Sequence, residues 1–196
     1  MTTTLWLSMA SFALAASISP GPVNLVSLSN GIRRQLRTGL WFVTGAALGF
    51  TALFIAIGFG LHTLLQQFSL LNTVLRWAGI AFLLYLAFQL FISNGNLDLE
   101  EKTHQPGFFT GALMQWLNPK AWLASAAGIS AYTANGDATL VWIFAAIYAP
   151  ICWLSIGCWL AAGSFLHRHI QQPNKLRWVN RSLGLLLAAS CGALLV

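Results

Sequence analysis

One lysine in this chain stands where a lysine is costly. Lys120 follows Asn118-Pro119 and lies about 18 Å into an apolar stretch that begins at Phe108, taking 1.5 Å per helical residue. A cation at that depth costs about 2.5–3.5 kcal/mol on insertion scales. It also falls near a helix start, the unfavourable end for positive charge. An anion bound beside it would relieve both penalties; the other resolution is a side chain that snorkels to an interface. The default for a charge inside a membrane is a ligand site.

The second unusual cluster is Ser19-Pro20-Gly21-Pro22. A proline in a helix interior lacks its N–H and clashes with the preceding turn, at about 3 kcal/mol. A single proline kink is common in membrane helices, but two prolines around a glycine predict a short non-helical hinge. The helix is expected to restart with Ser19 as N-cap and Pro20 at its first position, and again at Asn118 as N-cap with Pro119 following. Each restarted helix would carry free N–H groups and a partial positive charge. Two such ends facing one cavity would hold a carboxylate. Asn24, Ser27 and Gln115 add polar groups nearby, with Gln115 and Asn118 three apart on one side of a helix. Trp116 and Trp122 flank the second break, as packing bulk or as cavity walls.

The elements that must position these residues follow from composition. The chain has 196 residues, of which 57% are hydrophobic and 7% charged, with mean hydropathy +0.70. Soluble domains carry roughly 25% charged residues, so lipid is the main solvent. The net charge of +6 does not indicate nucleic acid, because the cations are few and sit between apolar runs. An open sheet is excluded, since backbone groups in lipid must be satisfied internally. About 20 apolar residues span the hydrocarbon core as helix. Six stretches qualify: Leu5–Ser29, Gly39–Leu61, Leu70–Ile92, Phe108–Tyr132, Leu140–Leu166 and Val179–Val196. The fold class expected is an all-α integral membrane protein in one transmembrane domain. Ala13-Leu14-Ala15 looks like a leader cleavage site, but no Lys or Arg precedes Leu5, so the first stretch is taken as a span.

Orientation follows the loop cations. Arg33, Arg34 and Arg37, then Lys102, then Arg168, Lys175 and Arg177 occupy alternate connections, with Arg181 just inside the last span and only Arg76 on the other side. The cation-bearing loops are therefore cytoplasmic and both termini face outward. Trp6, Trp41, Trp77, Trp142 and Trp178 each fall near the start of a span, at headgroup level.

The spans divide into two sets of three. Ala13-Leu14 and Pro20 recur as Ala112-Leu113 and Pro119 at an offset of 99, which Arg76 and Lys175 share. The expectation is two inverted three-helix repeats, residues 1–98 and 99–196, with spans one and four broken at their proline motifs. Interrupted segments at matching positions of inverted halves point to a transporter binding site.

Ser19-Pro20-Gly21-Pro22 with Asn24, Gly45 and Gly49 in span two, and Leu117-Asn118-Pro119-Lys120 together resemble the LysE/RhtB family of amino-acid exporters. Within it, the chain is most similar to the cysteine/O-acetylserine and homoserine/threonine exporter group. The resemblance implies a secondary transporter that exports small neutral amino acids across the bacterial inner membrane, coupled to protons. The four acids, Asp98, Glu100, Glu101 and Asp137, all lie outside or at the rims of the spans. Coupling would then fall to Lys120, or the protein is an uncoupled facilitator; a non-transporting accessory protein is a further alternative. The substrate ammonium would meet the carbonyls around Ala16–Ser17 and Gln115–Trp116.

The site expected is thus Ser19, Pro20, Gly21, Pro22, Asn24, Gln115, Asn118, Pro119 and Lys120, with Trp116 and Trp122 as walls. No catalytic set, cofactor motif or metal ligand cluster is read from the sequence. His167 and His169, beside Arg168, are taken as loop residues, as are His62 and His104. Cys152, Cys158 and Cys191 lie in apolar runs and read as packing residues. Gly45 with Gly49, and Gly184 with Ala188 and Gly192, are small pairs that let spans approach closely, or form an oligomer face. The expected partners are a small amino acid, membrane lipid and protons.

Overall fold

A run of apolar residues interrupted by proline becomes helix on each side of the interruption. The computed structural model describes residues 3–60, 69–92, 106–133, 137–167 and 173–192. Among them are α1 (Thr3–Ile18), α2 (Pro22–Ile32), α3 (Leu36–Gly58), α4 (Ser69–Ile92), α5 (Phe108–Trp116), α6 (Pro119–Tyr132), α7 (Ala138–His167) and α8 (Pro173–Gly192), with no strand. The loop residues Asp98, Glu100, Glu101, Lys102, Arg168, His62, His104 and His169 lie outside the described residues, as do the side chains of Arg76 and Cys191. Asp137 caps α7, its carboxylate accepting from Thr139 N at 2.8 Å.

By length and composition, α3 and α7 can each cross a membrane. The pair α1 and α2 bends by 62° at its break and makes a third span if taken as one. At 1.5 Å per residue, the 23 residues of α3 reach about 35 Å, enough for a hydrocarbon core of about 30 Å. Pro150 lies within the 30 residues of α7 without dividing the helix.

The core is built on α3 and α7. Phe42, Ala46, Phe50, Leu53, Phe54 and Ile57 recur at helical spacing and are buried on one face of α3. Phe144, Tyr148, Cys152, Ile156 and Leu160 do the same on α7. Large apolar side chains also face outward, including Leu48, Phe109, Leu123, Leu154 and Phe165. Trp6, Trp41, Trp77, Trp142 and Trp178 are all exposed.

The helix pairing has an internal logic. Helix α3 packs on α5, α6 and α7, while α7 packs on α1, α2 and α3, and α4 packs on α8. Exchanging α1–α4 for α5–α8 turns each of these pairs into another of them or into itself. Glycines allow the closest crossings. A Cβ on Gly49 would lie 2.7 Å from Ala112 Cα, and one on Gly45 would strike the Phe108 carbonyl. Gly31 and Gly163 face backbone of α7 and α2 respectively, and Gly184 faces that of α4. The matching seam of α1 with α7 is held by rings instead. Phe12 stands edge-on to Phe144 and Tyr148 at 6.1 and 6.4 Å between centroids.

His167 differs from the expectation. It is not a loop residue but the last residue of α7, buried, with Nδ1 hydrogen-bonded to Ile32 O at 2.7 Å. A terminal imidazole that satisfies an orphan carbonyl of a neighbouring helix is better placed buried than solvated.

Candidate functional site

The two breaks lie side by side and border one cavity of ≈ 40 Å³. That space holds about three waters, at ~10–15 Å³ each by the same measure. On the side of the breaks it is bounded by Ser17, Gly21, Asn24, Gln115, Asn118 and Lys120. The rest of its lining includes Phe50 from α3 and Tyr148, Cys152 and Ile156 from α7.

At the first break, the chain leaves α1 after Ile18 and re-enters helix at Pro22. The restart is two residues later than the sequence suggests: Gly21, not Ser19, is the N-cap, and Pro22, not Pro20, is at the first helical position. The reason is local. Ser19 Oγ turns back to donate to Ala16 O at 3.1 Å and so ends α1 instead of starting α2. Gly21 is extended and offers no capping side chain.

Helix ends normally leave orphan carbonyls, yet every carbonyl from Ala16 to Pro20 has a side-chain donor. Ser19 serves Ala16, and Asn24 Nδ2 donates to Ser17 O and Ser19 O at 3.0 and 2.7 Å. Trp159 Nε1 donates to Ile18 O at 3.0 Å. Lys120 Nζ donates to Ser19 O at 2.6 Å and Pro20 O at 3.2 Å. The lysine thus places its charge at the C-terminal, negative end of α1, where a cation is favourable. This resolves the apparent misplacement of Lys120 at the start of its own helix. Gly21 leaves room for it, since a Cβ there would sit 3.1 Å from Lys120 Cδ.

The amides of the same break are in the opposite condition. The first backbone bond into α2 runs from Leu25 N to Gly21 O at 3.0 Å. Pro22 has no N–H, no side chain caps the end, and the N–H groups of Val23 and Asn24 come before the helical ladder begins. Val23, Asn24 and Gly21 all line the cavity. Acceptors are therefore filled and donors are open, so this break suits an anion.

The second break is closed on itself. Asn118 caps α6 as the sequence suggests, its side chain accepting from Lys120 N at 3.1 Å. Its carbonyl accepts from Ala121 N at 2.9 Å, and its own N–H donates to Gln115 O at 3.3 Å. Trp122 Nε1 donates to Trp116 O at 2.7 Å. The anticipated pair of bare helix starts is thus a single bare start, at α2. The carbonyls anticipated for a substrate ammonium, around Ala16–Ser17 and Gln115–Trp116, already have partners within the protein. Oxygens better placed to accept are Asn24 Oδ1, whose amide nitrogen is fully used on the other side, and the Gln115 side chain, buried at the cavity.

Among the other expected site residues, Ser19, Pro20, Pro22 and Pro119 shape the breaks without lining the cavity, and neither do Trp116 and Trp122. Trp122 pins the end of α5 instead. Ser27 is buried and donates to Ile156 O at 3.0 Å, joining α2 to α7. Phe50, Tyr148, Cys152 and Ile156 escaped sequence reasoning because they sit in unbroken apolar runs. Tyr148 carried the one available signal, since a phenol deep in a span needs a polar partner. Among the described residues no cluster of three or more His, Cys, Asp or Glu could hold a metal.

No solved structure is similar to the chain at a significant level. Curated proteins are. A cysteine/O-acetylserine efflux protein of Klebsiella pneumoniae is 29% identical over 192 residues, covering 93% of this chain and 94% of that one. A cysteine/O-acetylserine efflux protein of Escherichia coli O1:K1 is 27% identical over 190 residues, 95% of each. An uncharacterised membrane protein of Vibrio cholerae is 28% identical over 100 residues, 51% of this chain and 49% of its own length. The family described as LysE type translocator matches residues 14–196, a stretch that includes both breaks and the whole cavity, and the chain is a member of that family of amino-acid efflux transporters.

Proposed function

We propose that this protein exports small neutral amino acids or their derivatives from the cytoplasm, with the substrate carboxylate held at the bare start of α2. The observation that carries the reading is the asymmetry of the first break. Five consecutive carbonyls have side-chain donors, while the amides of Val23 and Asn24 stand uncapped at the cavity. Lys120 Nζ has three donors, and two go to Ser19 O and Pro20 O. The third is available to the carboxylate. The substrate ammonium is met by Asn24 Oδ1 and the Gln115 side chain. Ser19, Pro20, Gly21 and Pro22 set the shape of the break; Asn118 and Pro119 position Lys120.

The transport cycle proposed is alternating access by six spans in two inverted halves, residues 1–98 and 99–196. It places the chain in the bacterial inner membrane with both termini periplasmic. The exchange of helix pairs between α1–α4 and α5–α8 supports the two halves, and Lys120 links them by bonding across the breaks. An ammonium that moves between the α1 carbonyls and a substrate would let binding loosen one half from the other. Among the described residues Lys120 is also the one cation lining the cavity, which makes it the candidate for coupling export to protons. The names of the relatives suggest cysteine and O-acetylserine as first substrates to test.

The experiment is counterflow in liposomes holding the purified protein and a high internal concentration of unlabelled cysteine or O-acetylserine. Saturable uptake of the labelled compound, inhibited by other small amino acids and not by the corresponding amines that lack a carboxylate, is expected. Uptake that is absent, or equally inhibited by the amines, would overturn the reading.

A further inference from the structure

The head group of every α-amino acid is the same, so the break that binds it cannot tell one substrate from another. Discrimination must come from the part of the cavity lining contributed by α3 and α7. That part has a definite construction. Tyr148, Cys152 and Ile156 follow one another at four-residue spacing on one face of α7, and all are buried. Phe50 from α3 lies against Tyr148 with ring centroids 4.5 Å apart. Behind them, Phe54 and Phe144 pack on Tyr148 at 5.4 and 5.6 Å. A close-packed ring stack of this kind yields little to a larger side chain.

The same surface is not purely apolar. Tyr148 brings a hydroxyl and Cys152 a thiol, and Ser17 on α1 brings a second hydroxyl. All three line the cavity. Ser17 also belongs to the first break, where its carbonyl is held by Asn24. Ser17 is thus shared by the break and the cavity lining. A hydroxyl or thiol both donates and accepts. A site that hydrogen-bonds a polar substrate atom rejects the analogue without it far better than an apolar pocket rejects an extra methylene.

We propose that Ser17, Tyr148 and Cys152 form the side-chain subsite of the transporter, reading one hydroxyl, thiol or ester oxygen close to the substrate Cα, while Phe50 and Ile156 limit its size. The inference rests on the export reading above, because it takes the amino-acid head group at the first break as given. It makes α7, the longest helix described, the element that sets the substrate spectrum, and the proline breaks the element that sets the compound class.

The test is a competition panel in counterflow with the full chain in liposomes. Size-matched pairs separate polarity from volume: cysteine against 2-aminobutyrate, threonine against valine. The unaltered protein is expected to prefer the polar member of each pair. Tyr148→Phe and Cys152→Ala are each expected to reduce that preference about tenfold, the scale of one hydrogen bond, with uptake of the apolar member retained. Phe50→Ala is expected to admit methionine and leucine. In a protein carrying Cys158→Ser and Cys191→Ser, alkylation of Cys152 by N-ethylmaleimide is expected to slow at least fivefold in the presence of a transported amino acid. Unchanged rankings in variants that still transport, or alkylation that is indifferent to substrate, would overturn the subsite while leaving export intact. An unaltered protein that moves no amino acid would instead remove the export reading, and the subsite with it.

Discussion

Two breaks of similar sequence, Gly21-Pro22 and Asn118-Pro119, treat their backbone in opposite ways. At the second, the residue before the proline has a side chain that reaches the next helix start, and Asn118 closes the amides of α6 itself. At the first, the residue before the proline is Gly21, which has nothing to reach with. The amides of α2 stay open, and the carbonyls of α1 recruit donors from elsewhere: Asn24 from α2, Trp159 from α7 and Lys120 from α6. Proline interrupts the helix in both places. The N-cap residue decides whether the interruption closes on itself or leaves its amides open.

The comparison is most exposed at Lys120, the residue the two breaks share. Its amide is capped by the second break and its ammonium serves the first. Lys120→Met keeps the length and removes the charge. It leaves Ser19 O short of a donor, Pro20 O without one, and the cavity without its cation. Hydrogen bonds to charged groups contribute about 1.5–3 kcal/mol each, so initial counterflow rates should fall about 10- to 100-fold. A Lys120→Met protein that transports at more than half the normal rate would show that the cation is not part of the receptor. Lys120→Arg should also transport poorly, because a planar fork does not replace a compact ammonium in the space beside Gly21.

Much of this arrangement is legible before folding. Prolines at 20, 22 and 119 mark both breaks because each stands beside a glycine or a capping asparagine, which the lone Pro150 within α7 lacks. Lys120 is marked by its cost in lipid, and Asn118 by its place before a proline. What stays hidden depends on approach between distant helices. Nothing local says that Trp159 would reach the end of α1, 141 positions away. Ser19 reads equally well as a helix start or as a helix end, and only the side chains available to α1 settle it. Tyr148 and Cys152 lie in an apolar run whose period reveals a buried face but not which part of that face borders a cavity.

The contrast sharpens if the first break is given what the second has. Gly21→Ser supplies a hydroxyl at the N-cap of α2, where serine is among the preferred residues. The backbone there is extended, with φ −171°, so a side chain meets no conformational penalty. The added Cβ would lie 3.1–3.2 Å from the lysine stem and Nζ, a contact the flexible Lys120 side chain relieves by a small shift. A capped α2 competes with the substrate carboxylate for the same amides. The half-saturation concentration should rise about tenfold, as expected when about 1.4 kcal/mol of binding is lost, and thermal stability should hold or improve. A Gly21→Ser protein with unchanged half-saturation would mean that the α2 amides are not where the carboxylate sits.

The reverse change, at the second break, should matter least. Asn118→Ala removes the cap of α6, a loss of about 1 kcal/mol. For a chain of this size that lowers the melting temperature by about 2–4 °C. The one amide it frees is that of Lys120; those of Ala121 and Trp122 keep their bonds to the Asn118 carbonyl. Transport should therefore fall only about two- to threefold, through looser placement of the lysine, with the order of competing amino acids unchanged. Asn118→Asp keeps an acceptor at the cap and should restore the melting temperature. If Asn118→Ala instead raised the half-saturation concentration as much as Gly21→Ser, the second break would be a receptor as well, and the distinction drawn between Gly21 and Asn118 would fail.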